Sequence, residues 1–135
     1  MPSSNNYIWL LMHNIIYDVS KSKSFYDIAA EFLKSAYKDL QEQRFRPFVE
    51  SLSIAAENLA RARIYLLPDK EIRKIRKHGG IQSRVNIYAR TDSVIKTGQK
   101  DAFNNLMKLR DNARYNPSFS LNREDADNLF NQIKN

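Results

Sequence analysis

The chain has 135 residues, 42% of them hydrophobic and 27% charged, with 3 Gly, 4 Pro and no Cys. That balance predicts a single domain over 1–135 with one sizeable core, and it excludes a disordered chain, a disulfide framework, a thiolate metal site and a cysteine nucleophile. A formal net charge of +7 points to an anionic partner.

Ile8, Leu11, Ile15 and Val19 recur at helical spacing and predict a first helix over about 6–19. Its apolar run, Tyr7 to Met12, falls far short of the roughly 20 residues a membrane span needs. No basic residue precedes it, as a secretory signal requires, so a cytoplasmic protein without a membrane partner is expected. Lys21-Ser-Lys-Ser24 reads as a polar connector between an N-terminal helix, 1–20, and a bundle core, 24–134. Ser24 and Asp27 have the spacing of a helix-opening box. Behind them Phe25, Ile28, Ala29, Phe32, Leu33, Ala36 and Leu40 form a long apolar stripe.

Pro47 suits the first position of a helix. The helix carries Phe48, Leu52, Ala55, Ala56, Leu59 and Leu66 on one side and is ended by Pro68. Alanines at 55, 56, 60 and 62 allow a neighbouring helix to approach closely. A basic ridge from Asp69 to His78 stops at Gly79-Gly80, a helix C-cap signal. Ile81, Val85, Tyr88 and Ala89 predict a helix over 81–95. Phe103, Leu106, Leu109 or Arg110, and Ala113 predict another from about Gln99 to Asn116-Pro117. Asn122 caps a last helix whose apolar face is Ala126, Leu129, Phe130 and Ile133. No two-residue alternation occurs anywhere. The expected fold is all-α, an antiparallel up-and-down bundle of five or six helices.

The charge is concentrated. Between Arg61 and Arg90, nine basic residues face only Asp69 and Glu71, so this stretch holds the whole excess of +7. Lys70, Lys74 and Lys77 recur at i, i+4, i+7, with Ile72 and Ile75 on another face. One reading is a solvated surface. The other is phosphate contact, in which each Lys or Arg displaces condensed counterions. The residues nominated for nucleic-acid contact are Lys70, Arg73, Lys74, Arg76, Lys77, His78 and Arg84, joined by Arg110 and Arg114. Two lone histidines, His13 and His78, make no metal site, and neither a metal nor a cofactor is expected.

Ala55-Ala-Glu-Asn-Leu59 in a long helix, then Lys77-His78, then Arg110-Asp-Asn-Ala-Arg-Tyr-Asn116 occur in an order that resembles the HEPN domain family. The resemblance covers roughly 24–134. It implies a compact helical bundle, a homodimer, and, in the active ribonucleases, an Arg followed by a polar residue with a His four to six positions beyond the Arg. Two such motifs then meet at a dimer cleft and cut RNA without a metal. Arg110 and Asp111 match the first two positions, whereas Tyr115, Asn116 and Pro117 stand where the His belongs. Counting from Arg114 gives Phe119, Ser120 and Leu121.

That departure matters because an imidazole titrates near 6.5 and transfers protons at neutral pH, whereas a phenol titrates near 10 and an amide does not titrate. The degenerate motif Arg110, Asp111, Arg114, Tyr115 and Asn116 is therefore expected to bind RNA or a nucleotide without ordinary ribonuclease activity. A bland alternative is a local salt-bridged surface in which Asp111 pairs with Arg114, and Glu57 is placed to pair with Arg61. A second functional reading is an interaction scaffold or toxin–antitoxin component with a nucleotidyltransferase-like protein partner, Tyr115 being near the position modified in some such pairs. Phage defence is the other common setting of the family. A third is a metal-independent ribonuclease in which Arg110, Arg114, Tyr115 and His78 replace the missing group.

Overall fold

The computed structural model describes residues 4–66 and 97–134, and every regular element among them is an α-helix. These are α1 (Ser4–Gln41), α2 (Phe45–Ile64), α3 (Thr97–Tyr115) and α4 (Arg123–Lys134). The all-α architecture is as expected. Pro68, the basic ridge, Gly79-Gly80 and the helix predicted over 81–95 lie outside the described residues.

The polar connector expected at Lys21 to Ser24 is not there, because α1 runs through it for 38 residues. No Gly or Pro interrupts this stretch, and its serines satisfy themselves within a helix. Ser24 Oγ donates to the Ser20 carbonyl one turn back, at 3.1 Å, instead of capping a new helix. Ser22, 2% exposed, donates its hydroxyl to the Ala62 carbonyl at 2.6 Å and ties α1 to the last turn of α2. The expected division between 1–20 and 24–134 is thus no break in the helix.

α1 ends without a glycine. Gln43 takes the left-handed conformation, with φ 56. Its N–H donates to Leu40 at 3.2 Å and that of Arg44 to Asp39 at 2.8 Å, which closes the helix C-terminus and reverses the chain. Pro47 is the third residue of α2 rather than the first. It still lies in the first turn, where the missing N–H breaks no helical bond.

α2 is the centre of the fold. Phe48, Val49, Leu52 and Ala55 are fully buried, and Ala56, Ala60 and Ala62 nearly so. Ala29 and Ala36 of α1 are also fully buried, so small residues on both helices permit the close approach expected of the alanines. The buried line on α1 runs through Ser22, Ala29, Ala36 and Leu40 and leaves Ile28 off it, 39% exposed. Leu66 is 52% exposed because α2 stops at Ile64 and the stripe does not continue into the turn.

α3 buries Ala102, Phe103, Leu106, Met107 and Ala113, and α4 buries Ala126, Leu129, Phe130 and Ile133 against them. Asn116-Pro117 ends α3 and Asn122 opens α4. The Asp125 N–H donates to Asn122 Oδ1 at 2.8 Å. Asn122→Ala is expected to cost about 1 kcal/mol, the usual value of a lost N-cap, measurable as a lower urea midpoint at unchanged slope. Among the described residues no helix is long and apolar enough to cross a membrane.

Candidate functional site

The Arg110 motif lies on the last turns of α3, against the middle and start of α2. Glu50 and Glu57 are seven residues apart on α2, two turns along one face. Arg110 and Arg114 are four apart on α3. Because the helices run in opposite directions, Arg110 meets Glu57 and Arg114 meets Glu50. The carboxylates are separated by about 10.5 Å of helix rise and the arginines by about 6 Å. Long guanidinium side chains reach out to absorb the difference.

The two rungs differ in environment. Arg110 Nη1 donates to Glu57 Oε1 at 2.9 Å, with the side chains only 13% and 10% exposed. Arg110 Nε is buried with no hydrogen-bond partner, so this inner pair is incompletely satisfied. The outer pair is more open, each side chain being 38% exposed. Arg114 Nε donates to Glu50 Oε2 at 2.8 Å and Arg114 Nη2 to Glu50 Oε1, a two-pronged contact. Those hydrogen bonds hold the guanidinium above its already high ordinary pKa against some opposing desolvation.

Asp111 was expected to pair with Arg114 along α3. It favours the Arg114 cation through space, while the hydrogen bonds of Arg114 go to Glu50. Glu57 was placed with Arg61, but the geometry commits it to Arg110 on another helix. A sequence spacing shows only partners on the same helix. Replacing Glu50 by Gln is expected to cost less than about 1 kcal/mol, because an open ion pair is well screened by water. The loss should shrink further in high salt when followed by denaturation.

Arg46 is a participant that the sequence did not single out. Its Nη1 donates to the Ala113 carbonyl at 2.6 Å, and its Nη2 to those of Asn116 and Pro117 at 2.9 and 3.3 Å. The guanidinium also lies 5.3 Å from the centre of the Phe119 ring. One side chain from the first turn of α2 thereby gathers the free carbonyls at the end of α3. The signal was faint: Arg46 adjoins Pro47, at the edge of a predicted helix.

The positions where an imidazole would be needed hold groups with other tasks. Asn116 Oδ1 accepts from the Ser118 N–H at 3.0 Å, and the Asn116 carbonyl from that of Phe119 at 3.0 Å. The amide thus closes the turn after α3. Tyr115 points outward, 77% exposed. Lys70, Arg73, Lys74, Arg76, Lys77, His78 and Arg84 lie outside the described residues. Of the nominated set, the structure describes the α3 motif alone. Among the described residues no group of three or more His, Asp or Glu side chains is placed to hold a metal ion.

Residues 22–135 match the family model of the HEPN domain. No curated protein and no solved structure matches the chain.

Proposed function

The chain belongs to the HEPN domain family, and from that membership we propose that it is a nucleic-acid or nucleotide-binding module, acting as a homodimer, that lacks ordinary HEPN ribonuclease activity. The observation that carries this reading is the state of the motif. Arg110 is committed to Glu57 in a largely buried ion pair, and Asn116 to the turn that follows α3. Neither histidine of the sequence falls between Arg110 and Leu121. RNA cleavage through the 2′-OH needs a group to take that proton, and a positioned general base supplies about 10²–10⁴ of the rate. The motif positions that follow Arg110 offer none with a pKa near neutrality.

Binding survives that loss because it draws on charge rather than proton transfer. The concentration of +7 between Arg61 and Arg90 supports phosphate contact. With six phosphates neutralised, affinity for a mixed-sequence single-stranded RNA should fall by about 10²–10³ between roughly 50 and 200 mM salt. Fluorescence anisotropy at a series of salt concentrations checks this. A flat salt dependence, or no binding at the lowest salt, contradicts it. Light scattering of the free protein tests the homodimer, which a monomeric mass would overturn.

A second reading is favoured by Tyr115, whose ring stands 77% exposed at the end of the motif. Here the fold docks a nucleotidyltransferase-like partner, as part of a toxin–antitoxin pair, and Tyr115 is its modification site. Adenylylation mapped to Tyr115 in protein co-purified with such a partner supports this reading. An unmodified Tyr115 in that preparation counts against it.

A further inference from the structure

We propose that the end of the α1–α2 hairpin carries a preformed binding site for the phosphodiester backbone, built from Lys21, Arg61 and Arg63. The proposal rests on the RNA-binding reading and gives it a location on described residues. Phe25 of α1 stacks on Tyr65, just past the end of α2, with ring centres 5.4 Å apart and planes inclined by 19°. Lys21 Nζ lies 5.0 Å from the centre of the Tyr65 ring, and the Arg61 guanidinium carbon 5.8 Å from that of Phe25. Two stacked rings are therefore flanked by two cations. The Ser22 hydroxyl bond to the Ala62 carbonyl fastens the same turns together. Arg63 lies in the last turn of α2 beside them.

This arrangement has two consequences for an anion. Aromatic faces hold the cations in place before a ligand arrives, so less side-chain freedom is lost on binding. A guanidinium stacked by its flat side presents its N–H groups in its own plane, where a phosphate oxygen is taken by a fork of donors. The simplest alternative is that these cations only offset the dipole at the end of α2. That dipole amounts to about half a negative charge, too little to account for three cations. The nearby carboxylate Asp27 is paired with Lys23 at 3.3 Å, and Glu57 with Arg110. In sequence, the chain leaves Leu66 directly toward Lys70, Arg73, Lys74, Arg76 and Lys77. The structured cations therefore stand at the start of the most basic run.

The test compares the full-length protein with a triple variant, Lys21→Gln, Arg61→Gln and Arg63→Gln, on one mixed-sequence single-stranded RNA across a salt series. Losing three phosphate contacts should flatten the slope of log K against log salt by about 2 and weaken binding about a hundredfold near 0.1 M salt. The charge-conserving pair Arg61→Lys, Arg63→Lys should keep the parent slope. So should Lys34→Gln, Lys38→Gln and Lys134→Gln together, which remove the same charge elsewhere. A parent slope in the first triple variant overturns this site and leaves the RNA-binding reading intact. An equal loss in the second triple variant, or a loss in the charge-conserving pair, also overturns it. Absence of RNA binding by the parent protein overturns both.

Discussion

Glu57→Ala is expected to destabilise the protein by about 3–5 kcal/mol, the cost of leaving a buried charge without its partner. The Arg110 side chain is 13% exposed, and its Nε already lacks a hydrogen-bond partner. Removing Glu57 strands the guanidinium in an apolar setting formed by α2 and α3. The comparison that isolates the cause replaces both partners, Glu57→Leu with Arg110→Met. Such a pair should return stability to within about 1 kcal/mol of the parent or above it, since well-packed apolar residues often match a buried ion pair. Urea denaturation of the parent, the single variant and the double variant forms the test. A cost below about 1 kcal/mol for Glu57→Ala would mean that water reaches the pair and that Arg110 is available to a ligand.

Phe48→Ala is expected to lose about 3–5 kcal/mol for a different reason, removal of a large side chain from a packed interior. Phe48 is fully buried in the first turn of α2, within the cluster that joins all four described helices. A cavity there loosens the helix that every other element packs against. Since a domain of this size is stable by only about 5–15 kcal/mol, either substitution removes a large share of the total. Leu66→Ala serves as the contrast: at 52% exposed, it should change stability by no more than about 0.5 kcal/mol. Equal effects of the two substitutions on the urea midpoint would contradict the placement of the core.

The helical stripes were legible because apolar spacing reports burial directly. Ala126, Leu129, Phe130 and Ile133 all turned inward, and Asn122 capped α4 as its type and position suggested. Where two signals competed, the pattern misled. Lys21 to Ser24 is polar enough for a loop, yet its serines bond within α1 and across to α2. The end of α1 gave no glycine to read, because Gln43 adopts the left-handed conformation. In the site, the identities of Arg110 and Arg114 stood out but their partners did not. Glu50 and Glu57 are more than fifty residues distant in sequence and become neighbours only through the antiparallel packing of α2 and α3. Their seven-residue spacing was the available signal. Arg46 left no comparable trace, because backbone carbonyls are its hydrogen-bond partners.

The central claim is that RNA is held but not cut. Its most direct test incubates end-labelled single-stranded RNA with excess protein at low salt, without divalent cations, and reads complex formation and strand integrity from the same samples. Arg110→Lys, which keeps a cation beside Glu57 and so preserves the fold, is run in parallel. The expected result is bound, intact RNA with both proteins, released as salt rises. Cleavage by the parent protein that disappears in Arg110→Lys would contradict the account, because it would make Arg110 a catalytic residue rather than the inner rung of an ion pair.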